Sequence, residues 1–260
     1  NVEITFPDAI ESAYETNGIE EKIGEVTIQN NKLCFDMASY RPKTFAVRLK
    51  KGNVKAAPIK NIPLQLPFNS KAFTPENFGY TVSFDKKGNS FAAELIGDKV
   101  TCDNITFSIA DHENKNVIKC KGDTIQLPKE AAGKKLYILA ASTDKDRKST
   151  FLVNGKSHEF EIPYYSGFYG QWGHKGVSDG YIRNASLAYI GSHRHTEKGN
   201  DTYIYTYMYK LGIELPQEAH TLVLPKDENI AVFAITLSDN YIDDISTANE
   251  MRTLPLEVSK

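Results

Sequence analysis

The chain has 260 residues, 40% of them hydrophobic, enough to bury a core in one large or two modest domains. Its 31 basic and 33 acidic residues leave a net charge of -2, which gives no electrostatic footing for nucleic acid or an anionic membrane surface. No run approaches the roughly 18 apolar residues of a membrane helix and no signal peptide opens the chain; Asn1, in place of an initiator methionine, reads as a mature or cut-down product.

Strand-like runs fill the first fifty residues: VEITF, GEVTIQ, KLCFDM and TFAVRL, the last placing Phe45, Val47 and Leu49 on one face. The turn signal NNK at 30–32 predicts a hairpin over 24–38. Residues 7–22 tolerate a helix until Asn17-Gly18 breaks it. The proline-bearing stretch KKGNVKAAPIKNIPLQLP then predicts a linker over 51–61. From KVTC to NIAVFAITLS, strands and turns alternate at the spacing of a sandwich or jelly roll. The expected fold is all-β: a small antiparallel β-sandwich segment over 1–50, the linker, a jelly-roll-like β-sandwich over 62–238, and a tail over 239–260 that wraps back through Tyr241 and Leu254.

The longest strand, 202–215, carries Tyr203, Tyr205, Tyr207 and Tyr209 at period two. Such a stripe is more often packing than a sugar platform, although aromatic rings do stack on sugar faces. Cys34, Cys102 and Cys120 cannot all pair, and none sits in a CxxC spacing. They read as small buried side chains, with a Cys102–Cys120 bridge as the alternative.

Chemical motifs are sparse. There is no GxSxG, no GxxxxGK[ST] loop and no GxGxxG. A glycosidase needs two carboxylates about 5–10 Å apart, and nothing marks such a pair; Glu94, Asp85, Asp179 and Glu214 are acidic residues near strand ends. DHENKN at 111–116 lacks the glycine and final glutamate of a calcium loop, so a turn is expected. His193 and His195, two apart, share a strand face with Arg194 opposite. A metal would need a further ligand, and only isolated candidates such as His174 offer one. YYSGFYGQW at 164–172 packs five aromatics and two glycines, with Tyr165, Tyr169 and Trp172, into a plug across a sandwich end or a sugar-facing surface. Tyr165, Tyr169, Trp172, His193, Arg194 and His195 are therefore the candidate carbohydrate or inter-domain contacts. No catalytic residue and no metal ligand is assigned.

LPFN, FDKKGNSFAAEL, KLYILAAS, YYSGFYGQW, AYIGSHRH and YKLGIELPQEAHTLVLPKDENIAVFAITL occur in that order. Together they resemble the C-terminal β region of bacterial α-mannosidases of glycoside hydrolase family thirty-eight. ITFPDAIESAYETNGIEE and KLCFDMASYRPKTFAVRL resemble the end of the β-sandwich that precedes it. Residues 62–238 also resemble the galactose-binding-like jelly rolls appended to many glycoside hydrolases. The resemblance implies an accessory region of a retaining α-mannosidase whose zinc and aspartate nucleophile lie in an N-terminal catalytic domain absent here. No cofactor is then expected in this chain. Its expected partners are that catalytic domain and mannose-containing glycans, with no nucleic acid and no membrane, in an extracytoplasmic setting. An independent carbohydrate-binding module is the alternative.

Overall fold

Asn30 and Asn31 both adopt positive φ, 50° and 61°. Asparagine tolerates this region, and two such residues in succession make the tight turn that matches strand twist. In a computed structural model, which describes residues 2–6, 8–50, 59–76, 82–167 and 185–240, this turn closes the hairpin expected within 24–38. The chain forms two compact units, Asn1–Pro58 and Ile59–Lys260.

The first unit contains β1 (Val2–Thr5), β2 (Ile10–Thr16), β3 (Lys22–Glu25), β4 (Thr27–Gln29), β5 (Lys32–Phe35) and β6 (Thr44–Leu49). They form two three-stranded sheets, ordered β1-β5-β4 and β3-β2-β6. Ile10, Ala13 and Leu33 are its buried centre, with Phe35, Phe45, Val47 and Leu49 packed against them. The helix-tolerant stretch is therefore a strand. β2 pairs with both β3 and β6, and that tertiary pairing overrides a weak local propensity.

The second unit contains β7 (Asn61–Pro63), β8 (Phe73–Thr74), β9 (Ser90–Ala92), β10 (Lys99–Cys102), β11 (Ile105–Ser108), β12 (Ile118–Lys119) and β13 (Thr124–Gln126). It continues with β14 (Lys135–Ser142), β15 (Arg147–Val153), β16 (Lys156–Ile162), β17 (Ser186–Thr196), β18 (Gly199–Glu214), β19 (Thr221–Val223) and β20 (Ile230–Ser238). An eight-stranded sheet runs β12-β20-β14-β18-β17-β9-β8, with β7 also on β20. A four-stranded sheet runs β13-β19-β15-β16. The fold is thus all-β, a β-sandwich. Asn61, expected at the end of a linker, instead pairs with Ser238 in the large sheet; residues 51–58 lie outside the described residues.

The centre of the large sheet is buried on both faces. Leu136, Ile138 and Ala140 of β14 face a core shared with Phe151, Val153 and Leu222 of the smaller sheet. Tyr137, Leu139 and Ala141 face the opposite core, together with Val100, Ile105 and Phe107 from the β10–β11 hairpin. A strand covered on both faces loses apolar–polar alternation, which is why KLYILAAS and IAVFAITLS are continuous apolar runs. In the second core Phe84 meets Tyr165 edge-on at 5.0 Å and Phe91 meets Phe233 at 5.3 Å. Burying each such ring contributes about 1.5–3 kcal/mol. This aromatic block underlies β8 and β9, the strands that carry part of the site described below.

The tyrosine stripe divides. Tyr207 and Tyr209 are buried, whereas Tyr203 is 79% exposed. Tyr203 has φ 65°, and the β17–β18 register shifts between Gly191 and His193; this bulge breaks the alternation. No disulfide joins Cys34, Cys102 and Cys120, and burial pushes the Cys120 thiol strongly up. Asp239 and Asn240, placed in a separate tail by sequence, remain attached to the body: Lys134 pairs with Asp239, and Tyr137 donates to the Asn240 carbonyl at 2.7 Å. Tyr241 and Leu254 lie outside the described residues. Among the described residues no helix is long and apolar enough to cross a membrane.

Candidate functional site

His193 and His195 lie within β17, an interior strand of the large sheet. The register places Arg194 opposite Asp201 of β18 on one side and opposite Phe91 of β9 on the other. Pairing on both sides carries the strand through to Thr196, so AYIGSHRH stays in the sheet and does not run out into a polar loop. The two imidazoles do share a face, their rings stacked with centroids 5.5 Å apart.

Glu94 completes the group. Ser90 of β9 pairs with His195, and a short 3-10 turn at Ala93–Leu95 follows that strand. This turn brings Glu94 back over the histidine face. Its Oε1 lies 3.0 Å from His193 Nε2 and 2.9 Å from His195 Nε2. Burial alone would raise the Glu94 carboxyl; hydrogen bonds from its own backbone N–H and from His193, with the charge of His195, outweigh that and hold it below the usual range.

Each imidazole is also held from behind. His195, 5% exposed, has Nδ1 at 2.8 Å from Thr74 Oγ1, which lies 2.5 Å from Ser90 Oγ. His193 Nδ1 lies 3.3 Å from Ser192 Oγ. Hydroxyl, imidazole and carboxylate in line are the ingredients of a nucleophilic triad. Here Thr74 and Ser90 are buried residues, at 4% and 0% exposure, and the Thr74 hydroxyl is engaged by Ser90 and His195 together, so it serves to orient the ring.

The Glu94 side of this group opens on a cleft of about 1040 Å³. Glu76, Glu94, Asp98, Asp111 and Glu113 bring carboxylates to its lining, against Lys71 and His112. His112 packs against the buried Phe73, their ring centroids 4.8 Å apart, and burial lowers the His112 pKa. The wall around DHENKN is a turn, as expected. Asp111 Oδ1 accepts from the Glu113 N–H at 3.1 Å, and buried Asn116 accepts from the Ala72 N–H at 2.8 Å.

The other sequence candidates separate. Arg194 points away from the histidines and pairs with its cross-strand neighbour Asp201, Nε to Oδ2 at 2.8 Å. Tyr165 is fully buried and donates to Asp85 at 2.9 Å. It belongs to the core and offers no contact surface, because its hydroxyl is needed by a carboxylate 2% exposed. Asp85 also accepts from the N–H groups of Lys87 and Asn89, so it fastens a loop. Tyr169, Trp172, His174 and Asp179 lie outside the described residues. In the sequence Glu94 is one acidic residue among several; no local signal joins it to histidines 99 and 101 positions later, and none marks Thr74 or Ser90.

Residues 60–241 match the family described as the AziU2-like beta-sandwich domain. The chain belongs to this family. The match lies within the second unit and takes in Thr74, Glu94, His193 and His195, so the histidine–glutamate group is carried by the AziU2-like domain itself. Among curated proteins none matches the chain.

Proposed function

We propose that the chain is a non-catalytic accessory β region that takes a polyhydroxylated ligand, a mannose-containing glycan, in the cleft beside Glu94. The observation that carries this reading is the lining: five acidic side chains and the half-buried His112 ring in one concavity. Carboxylate oxygens accept hydrogen bonds from sugar hydroxyls, and the flat ring of His112 suits the C–H face of a pyranose. The same acidic lining disfavours phosphorylated or otherwise anionic ligands. The finer assignment, to a retaining α-mannosidase whose catalytic domain this region braces, is supported by the ordered motifs from LPFN to VFAITL.

Calorimetric titration with mannose, α-mannobiose and a broad glycan panel tests the binding. Heat with a mannoside that Glu76→Gln and Asp98→Asn weaken supports it; silence across the panel overturns it. Glycan binding without affinity for an α-mannosidase catalytic domain leaves the independent carbohydrate-binding module. Hydrolysis of an aryl α-mannoside by this chain alone would refute the non-catalytic reading.

A further inference from the structure

The geometry points to a divalent transition-metal site, of the zinc class, formed by Glu94, His193 and His195. Their ligating atoms all lie within 4.8 Å of one another. Around an ion bound at about 2.0–2.2 Å, neighbouring donors stand roughly 3.0–3.5 Å apart. The carboxylate oxygen already stands 3.0 Å and 2.9 Å from the two Nε2 atoms. An ion placed among them replaces two N–H···O hydrogen bonds with three coordinate bonds.

The surroundings fit the same purpose. A metal-bound imidazole is normally oriented by a hydrogen bond from its far nitrogen. His195 Nδ1 has the Thr74 hydroxyl, which Ser90 backs, and His193 Nδ1 has the Ser192 hydroxyl. With metal on Nε2, each Nδ1–H donates to its hydroxyl. Two imidazole nitrogens and one carboxylate suit zinc, cobalt, nickel or iron(II) rather than calcium or magnesium, which favour all-oxygen sets. Three protein ligands leave positions for water or a ligand. Because Glu94 also lines the cleft, those positions lie at the cleft wall, where water or a hydroxyl of a bound molecule could fill one. The site does not depend on the glycan reading, and its test uses no sugar.

The experiment is Co²⁺ and Zn²⁺ titration of the chelator-stripped full chain, followed by visible absorption and calorimetry. One ion per chain is expected, with a ligand-field band for Co²⁺ that Zn²⁺ abolishes. Glu94→Gln and His193→Gln, which keep volume and hydrogen-bonding capacity, should each weaken binding at least tenfold. Thr74→Val, which removes the hydroxyl behind His195, should weaken it about 10–100-fold. Absence of any uptake by the unmodified chain overturns the site without recourse to a variant. So does uptake that Glu94→Gln and His193→Gln leave unchanged, which would place the ion on other histidines.

Discussion

His195 and Glu94 stand 101 positions apart in the chain, yet His195 Nε2 lies 2.9 Å from Glu94 Oε1. The pairing of β17 with β9 brings them together, and the 3-10 turn after β9 aims the carboxylate. Without metal this contact also satisfies a buried ring N–H. Glu94→Ala should therefore cost about 1–3 kcal/mol, the penalty of an unpaired buried donor. Glu94→Gln, which retains an acceptor, should cost less. Urea unfolding in the presence of chelator measures both.

Gly191 is a packing requirement. A Cβ there would lie 2.5 Å from Thr206 Oγ1 and 2.8 Å from Tyr189 Oη, two side chains of the same sheet. Burial, with the Glu94 charge nearby, pushes the Tyr189 hydroxyl up to about 12. Gly191→Ala should destabilise by about 1–3 kcal/mol, as overpacking does. Because the added carbon displaces β17 two residues before His193, it should also weaken Co²⁺ binding. A thermal melt alongside the cobalt titration reads both effects.

Arg147 holds two loops together. It bonds Asp144 through Nε at 2.7 Å and reaches Asp227 through Nη1 at 2.9 Å. The hydrogen bond from Arg147 lowers the Asp144 carboxyl from 3.8 to about 2. A depressed carboxyl stabilises the fold above its unfolded pKa and loses that contribution as pH falls toward the folded value. Stability should decline between about pH 4 and pH 2, and Arg147→Met should flatten that part of the profile. Carboxyl ¹³C shifts should show Asp144 titrating nearer the ordinary range in the variant.

Lys210 is buried at 3% exposure within β18, and its Nζ donates to Asp103 at 2.6 Å. Its ammonium also lies 5.6 Å from the centre of the Tyr137 ring. Removing the partly exposed Asp103 takes away one support of a buried ammonium, whereas an apolar replacement of Lys210 removes the charge itself. Asp103→Ala should cost about 1–3 kcal/mol. Lys210→Met should cost less, and adding Asp103→Ala to it should have little further effect. A double-mutant cycle by chemical denaturation gives the answer.

Local signals were most informative where the structure is local. NNK encoded the β4–β5 turn because asparagine adopts positive φ, and the apolar runs at 135–142 and 230–238 marked central strands. Signals decayed where tertiary context decided. IESAYET follows no helical necessity once β3 and β6 are available to pair with it. The tyrosine stripe of β18 is regular in sequence, but the bulge at Tyr203 sends one end to solvent and the other to the core. YYSGFYGQW allows Tyr165 either in a plug or on a sugar-facing surface, and its burial as the partner of Asp85 excludes the surface for this residue.

The histidine pair divides the same way. The sequence by itself determined that His193 and His195 share a strand face, because side chains in a strand alternate with period two. It also determined an all-β chain, through short patterned runs and turn residues. Only the tertiary structure decided what that face meets. Sheet pairing between distant segments placed Thr74 and Ser90 behind His195 and Glu94 in front of it, a juxtaposition no spacing encodes because hydrogen bonds across a sheet are indifferent to separation along the chain.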